Sequence, residues 1–193
     1  TFDDGPNIRT TLPILETLNS NGAVATFFVL GNRVKQNKEL VLRMIENGNE
    51  IGNHTYNHRL LTTISNEELN KQIDRTQNII SEVTGVEPVV MRPTYGAINN
   101  RLKENINMPI ILWSVDTMDW KSKDAKAISK HILNNIKDGD IVLMHDIYLS
   151  TVDAVKIVIP ELIKRGYQLV TVSELIKEKG ASLQAGSVYR HYK

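Results

Sequence analysis

The sequence predicts an α/β fold, a small, irregular (β/α) barrel of about seven parallel strands, on two observations. Stretches that read as strands alternate with stretches of helical period along the whole chain, with no repeat, linker or low-complexity block between them. Such alternation implies a mostly parallel sheet with helical crossovers. The second observation is placement: Asp3, His54, Arg92, Asp116 and His145 each follow a different strand at its C-terminal end. Functional candidates gathered at one mouth are the barrel pattern. An open doubly wound sheet is the alternative architecture. The chain has 193 residues, 41% of them apolar and 23% charged, which is enough for one well-buried core, so a single domain over 1–193 is expected.

Each element follows from its own pattern. Thr1-Phe2 reads as the end of a buried strand and Gly5-Pro6 as the turn that closes it. Residues 10–21 carry apolar positions at helical spacing (Leu12, Ile14, Leu15, Leu18), and Asn21-Gly22 ends that helix. Ala23 to Leu30 is an apolar run interrupted only by Thr26, the mark of a strand buried on both faces. A helix over about 38–47 leads to a short strand, Glu50 to Asn53, which delivers His54. Ser65-Asn66-Glu67-Glu68 looks like a capping box opening a helix that runs to about Val83. Strands follow at 89–91 and 109–115, with a helix near 99–105 between them. Asp124 to Lys137 is amphipathic, and Asp140 to Met144 is a strand ending at His145-Asp146. The stretch 151–164 is helical, with Pro160 expected to kink it or start a new segment. A last strand at 168–172 and a short helix at 173–179 complete the prediction, and the tail beyond Gly180 shows no period.

The formal net charge is +1, so neither a nucleic-acid surface nor a polybasic membrane patch is indicated, and a neutral partner such as a sugar polymer fits better. With no cysteine there is neither a thiolate metal site nor a cysteine nucleophile, which leaves histidine and carboxylate as ligands. No apolar run is long enough to span a bilayer. Because the chain opens on a turn with almost no strand before it, residues upstream are expected to supply most of the first strand, together with any leader or anchor. A monomer is expected.

The stretch His54-Thr55-Tyr56-Asn57-His58 organises the chemistry. On one turn of helix both imidazoles would project the same way and reach a single cation. The best third ligand lies in Thr1-Phe2-Asp3-Asp4-Gly5-Pro6. Neighbouring side chains in an extended segment point to opposite sides, so Asp3 and Asp4 are expected to have separate roles.

Five ordered segments carry a resemblance: Thr1-Phe2-Asp3-Asp4-Gly5-Pro6, His54-Thr55-Tyr56-Asn57-His58, Arg92-Pro93-Thr94-Tyr95-Gly96, Asp116-Thr117-Met118-Asp119-Trp120 and Leu143-Met144-His145-Asp146. Together they resemble the motifs of polysaccharide deacetylases, the carbohydrate esterase family 4 or NodB-type domain. The resemblance implies a distorted barrel of seven strands, NodB-like, and removal of acetyl groups, usually from N-acetylglucosamine. It implies Asp4, His54 and His58 as ligands of a divalent metal, most simply Zn2+ with Co2+ as an alternative, and Asp3 as the base. It implies His145 as general acid, Arg92 pairing with Asp3, Asp119 orienting His145 and raising its pKa, and the Tyr95 backbone N–H sharing the oxyanion. Leu143 and Trp120 would form the slot for the acetyl methyl, with Trp120 also able to stack on a sugar. One departure stands out: Thr94 occupies a position where the family usually has a second proline, leaving Pro93 alone to fix one φ.

The expected reaction is hydrolysis of N-acetyl groups on a cell-wall glycan, peptidoglycan first, at an extracellular or cell-surface location. Chitooligosaccharide deacetylase and acetylxylan esterase are the alternatives on the same scaffold. A silent glycan-binding domain is the rival from another class. A glycosidase would need two carboxylates flanking one bond, about 5 to 9.5 Å apart, and only the divergent Asp3 and Asp4 offer themselves. Trp113, inside an apolar strand, reads as core.

Overall fold

The structure, a computed structural model, describes residues 1–192. Its strands are β1 (Phe2–Asp3), β2 (Thr26–Val29), β3 (Glu50–Asn53), β4 (Ile110–Ile111), β5 (Val115–Asp116), β6 (Val142–His145) and β7 (Val188–Tyr189). The helices are α1 (Thr11–Ser20), α2 (Gly31–Val34), α3 (Lys38–Glu46), α4 (Asn66–Thr84), α5 (Asn100–Asn105), α6 (Asp119–Ser122), α7 (Ala125–Asn135), α8 (Leu149–Lys164) and α9 (Val172–Glu178).

Five strands pair in the order β3-β2-β1-β6-β5, every pairing parallel, and β4 pairs parallel with β7. The two groups join through Met91, which bridges Asn53 on one side and Ile110 on the other. The segment from Ile110 to Asp116 therefore meets Met91 at its start and β6 at its end, and the ring closes. Between β4 and β5 the strand bends, because the amides of Ser114 and Val115 both donate to the Ile141 carbonyl (3.0 and 3.2 Å). Two residues facing one is the arrangement of a bulge, a usual device for turning a barrel corner. β7 fills the gap this bend leaves, with Tyr192 N donating to the Gly139 carbonyl at 2.8 Å.

Strand pattern and helix faces meet in one main core. Phe2 and Phe27 stack at 5.1 Å on neighbouring strands, and Ile14, Leu18, Met44 and Val155 close over them from α1, α3 and α8. Each such buried side chain is worth roughly 1.5–3 kcal/mol, so the spacing of apolar residues within each helix, more than any cap, fixes its position. α1, for example, has no side-chain cap bond at Thr10 but buries Ile14, Leu15 and Leu18 on one face.

The structure departs from the sequence expectation in several places. The strand expected at 89–91 reduces to the Met91 bridge, and the one expected at 109–115 is split into β4 and β5 by the bend. No strand forms at 168–172. Thr171 caps α9 in a reciprocal box with Glu174 and turns the chain into that helix, while the Leu169 carbonyl accepts from Val24 N at 3.2 Å. The seventh strand comes instead from the tail, as β7. At Ser65 the box is half formed: Ser65 Oγ accepts from Glu68 N, while the Glu68 carboxylate turns to Gln72. Pro160 lies inside one continuous helix, α8, which buries Val152, Val155, Val158, Ile159 and Leu162. Apolar contacts on both sides of the proline outweigh the one backbone bond it removes.

Candidate active site

The ring brings the motif residues to one end. Asp3 ends β1 and is in register with Phe28 on β2 and with His145 on β6. His54 follows β3, Arg92 follows the Met91 bridge, and Asp119 and Trp120 lie on α6. A cleft of about 440 Å³ at this mouth is lined by Asp3, Asp4, His54, His58, Tyr95, Gly96, Trp113, Asp116, Trp120, Leu143, His145 and Tyr148. The ten residues given roles from the sequence all lie at this mouth: eight line the cleft, and Arg92 and Asp119 stand behind it.

The two histidines are not on a helix. The segment 54–58 is a loop in which Thr55 and His58 adopt φ of 70° and 64°, pinned by Thr55 N to Asn53 Oδ1 and by the amides of Tyr56 and Asn57 to Gln72 Oε1. Polar side chains replace the helical ladder, and the imidazoles still converge, their centroids 5.3 Å apart. Asp3 and Asp4 also differ from the expectation of opposite directions. Asp4 has φ 73°, so the chain is no longer extended there and both carboxylates face the same cleft, with different partners.

Asp4 Oδ1 lies 3.4 Å from His54 Nε2 and 3.1 Å from His58 Nε2. It is buried, and no hydrogen bond reaches it. Atoms about 2.0–2.1 Å from a tetrahedral centre are themselves about 3.3 Å apart, so these separations are those of three ligands sharing one ion. His54 Nδ1 is 2.7 Å from the Arg92 carbonyl, which fixes that nitrogen as the donor and leaves the Nε2 lone pair for a cation. The charges agree. Burial alone would raise the Asp4 pKa, but the close approach and charge of the His54 and His58 imidazoles hold it well below the usual carboxylate range. Burial likewise opposes a charged His54, yet the carboxylates of Asp3 and Asp4 and its bond to Arg92 raise its pKa. The donor set fits a divalent metal.

Asp3 is held elsewhere. Its Oδ1 accepts from Arg92 Nη1 at 2.7 Å, while Oδ2 faces His54 Nε2 at 3.8 Å. Arg92 is fully buried and satisfied: Nε donates to the Ile111 carbonyl and Nη2 to that of Leu112, both at 3.0 Å, and Nη1 also reaches Thr1 Oγ1. Its guanidinium lies 4.2 Å over the Phe28 ring. A planar fork fixed at this many points sets the direction of the carboxylate it holds.

Across the cleft, Asp119 is buried behind His145, with Oδ1 2.8 Å from His145 Nδ1. Burial would lower the His145 pKa; the bond and charge of Asp119, then the charges of Asp3 and Asp4, raise it to about 9. The turn carrying Tyr95 is tight, with φ 60° at both Tyr95 and Gly96. A Cβ on Gly96 would meet Trp113 at 2.6 Å, so the turn packs directly on that ring. Thr94 makes up for the missing second proline, since its hydroxyl donates to the Arg59 carbonyl at 2.7 Å and ties this turn to the loop bearing His58. Tyr95 and Trp120, 69% and 45% exposed, stand at the rim as apolar faces open to a ligand.

Four residues without an expected role belong to the site. Trp113, expected in the core, is a half-buried cleft wall because β4 ends at Ile111 and the chain bends there. Thr151 donates to Asp119 Oδ2 at 2.7 Å, and Tyr148 stands with its ring 6.1 Å from that of His145. Asp146, fully buried, receives the Thr11 hydroxyl at Oδ2. A Cβ on Gly5 would run into the same oxygen. The place of Asp146 directly after His145 at the end of β6 is the one signal that could have pointed to this role.

Fold and cleft define a class: a closed parallel α/β barrel with a candidate metal site at the C-terminal mouth of its strands. The family is reached by comparison. The sequence model for polysaccharide deacetylases matches residues 1–108, and the chain belongs to that family. It is 47% identical to the peptidoglycan-N-acetylmuramic acid deacetylase PdaC of Bacillus subtilis, over 93% of this chain and 38% of that protein. It is 45% identical to the peptidoglycan-N-acetylglucosamine deacetylase PgdA of Listeria monocytogenes, over 98% of this chain and 40% of that protein. The chain thus spans about two fifths of the length of these curated relatives. Among solved structures, a family 4 acetyl xylan esterase from Clostridium thermocellum, in complex with a cobalt ion, superposes with a TM-score of 0.94 at 31% identity, covering 98% of this chain and 96% of that one.

Proposed function

We propose that this chain is a metal-dependent deacetylase that hydrolyses N-acetyl groups of N-acetylglucosamine in a cell-wall glycan, peptidoglycan first, and releases acetate. The observation that carries the reading is the Asp4–His54–His58 cluster facing the Asp119–His145 pair across a cleft that also holds Asp3. Asp4, His54 and His58 would hold the metal, which we assign as zinc on ligand type. A divalent ion held there supplies Lewis-acid chemistry, making a water more acidic and polarising a carbonyl.

The chain's own residues carry the rest. Asp3, aimed by Arg92, takes the proton of the attacking water. The Tyr95 N–H shares the negative charge that develops on the carbonyl oxygen. His145 protonates the departing amine through Nε2, because Asp119 occupies Nδ1. Leu143 and Trp120 enclose the acetyl methyl, and Trp120 offers a face to the sugar. The names of the PdaC and PgdA relatives support peptidoglycan as substrate and a location at the cell surface, and the acetyl xylan esterase likeness keeps an acetylated xylan as the second reading.

The test is acetate release from peptidoglycan, chitooligosaccharides and acetylxylan, before and after chelation and with zinc or cobalt restored. Asp3→Asn should abolish turnover while metal content is retained. Turnover undiminished by that substitution would remove Asp3 from the role of base, whereas glycan binding with no acetate release by the parent protein would favour a glycan-binding module.

A further inference from the structure

We propose that Gln72, on α4, is a positioning residue for the metal: it holds the loop that carries His58 in ligand position, and Glu68 orients its amide for that task. The inference rests on the reading of Asp4, His54 and His58 as metal ligands.

The two histidines are fixed by different means. His54 is locked at both ends, its backbone N–H donating to the Val29 carbonyl at 3.0 Å and its Nδ1 lying 2.7 Å from the Arg92 carbonyl. Among the described residues no protein group bonds Nδ1 of His58, and its side chain is 27% exposed where that of His54 is 2%. A ring without such a bond is placed by its backbone and its packing, here an edge contact with Tyr95 at 4.7 Å between centroids. The position of His58 Nε2 therefore follows the course of the chain over 55–58.

That course is held from two sides. The carbonyls of Thr55 and Tyr56 accept from the amides of Gly31 and Asn32, at the start of α2, at 3.0 and 2.9 Å. On the other side a single oxygen, Gln72 Oε1, accepts from the amides of both Tyr56 and Asn57, at 3.0 and 3.2 Å. Removing that oxygen leaves the middle of the loop held by α2 alone.

The packing of α4 does not ask for an amide at 72. Gln72 is buried on the face that also buries Leu69, Ile73 and Ile80, where an apolar side chain would continue the stripe. A buried amide is tolerated when both its ends are bonded, and Glu68, one turn earlier, accepts from Gln72 Nε2 at 3.0 Å. Two N–H donors on one side and a carboxylate on the other leave the amide one orientation. The same demand explains the half-formed box at Ser65: Glu68 serves Gln72 in place of the backbone at the start of its own helix.

Cobalt titration of the metal-free protein, followed by visible absorption, tests this apart from turnover. Gln72→Leu keeps the bulk of the side chain but removes the acceptor. Its cobalt affinity should fall about tenfold, and in the metal-free protein the ring resonances of His58 should shift by NMR while those of His54 stay. The Glu68→Gln/Gln72→Glu double variant reverses the polarity of the link and keeps an acceptor for both amides. It should recover the parental affinity, which Gln72→Glu alone, with two carboxylates in contact, should lack. Parental cobalt affinity in Gln72→Leu overturns the inference, as does an equal shift of the His54 resonances, which would make Gln72 a general packing residue. Gln72→Ala is read in the same way where the leucine variant does not fold. Equal affinities in Gln72→Glu and the double variant overturn the part given to Glu68. Failure of the metal reading shows separately, as absence of cobalt binding by the parent protein.

Discussion

Asp119 holds His145 at two points: Oδ1 lies 2.8 Å from the ring Nδ1, and Oδ2 accepts from the His145 backbone N–H at 2.7 Å. The ring can neither rotate nor shift its proton, so Nε2 is the atom presented to the cleft. In the metal-free protein the imidazole titrates at about 9, where burial is outweighed by the bond and charge of Asp119. A general acid works only when protonated, so activity is lost as pH rises through this pKa, and a dication bound nearby lowers the value. Because the pKa is raised by folding, the pair contributes stability that is fully present below about 6.5 and is lost as pH rises toward 9. Asp119→Asn should move the alkaline limb of the pH–rate profile to lower pH by a unit or more and reduce kcat/KM by roughly 10²-fold. Histidine NMR titration of the metal-free protein checks the shift directly, and an unmoved alkaline limb would refute the assignment.

Much of this site was legible because its residues sit where strands end. Strand termini are marked by turn signals, so Asp3, His54, Arg92 and His145 could be assigned to one mouth from sequence alone. Where the geometry depends on partners remote in sequence, legibility failed. The His54–His58 loop is shaped by Gln72, on a helix begun after it. β7 exists because β4 offers an edge, which a two-residue pattern in an aperiodic tail cannot announce. The stretch 168–172 shows the converse: Leu169, Val170 and Val172 read as a strand, but a strong cap at Thr171 turned the chain into α9. Trp113 looked like core because the bend after Ile111 left no mark in the apolar run.

Asp4 Oδ1 is buried without a hydrogen bond between two imidazoles. Asp4→Asn keeps the volume but replaces one lone-pair donor and removes the charge. Affinity for the metal should fall by at least 10²-fold, with the visible absorption of the cobalt-loaded protein lost at the concentration that saturates the parent. Chelation of the parent should abolish acetate release, and zinc should restore it. A variant with parental cobalt absorption would show that Asp4 is not a ligand.

Thr94 is tied by its hydroxyl to the Arg59 carbonyl, one residue beyond His58. The turn that aims the Tyr95 amide is thereby anchored to the metal-binding loop. Thr94→Val preserves shape and β-branching but removes the partner of that partly buried carbonyl, a cost of about 1 kcal/mol. The expected result is a lower Tm together with a kcat reduced several-fold more than KM is changed, because the amide acts on charge that develops during reaction. A loss of stability with kcat unchanged would make the bond structural only.

Asp146 gives the fold a pH dependence of unusual sign. Its carboxyl is fully buried; Oδ2 takes the Thr11 hydroxyl and Oδ1 has no partner. Burial raises its pKa to about 7, with the charges of Asp4 and Asp3 adding to the effect against the opposing bond from Thr11. The folded state therefore keeps a proton that the unfolded chain has released above its ordinary value of 3.8. Where the native state binds more protons than the unfolded one, stability falls as pH rises, so this carboxyl costs nothing below 3.8, loses stability between there and about 7, and adds no further slope beyond. The whole effect is of order a few kcal/mol. Asp146→Asn is neutral at every pH and should flatten the stability curve of the metal-free protein between pH 4 and 7, as read from urea midpoints. Gly5→Ala, which would place a methyl group against the same carboxylate, should destabilise at all pH values by about 1–3 kcal/mol without changing that slope. An Asp146→Asn protein that keeps the full slope would place its origin in another buried group.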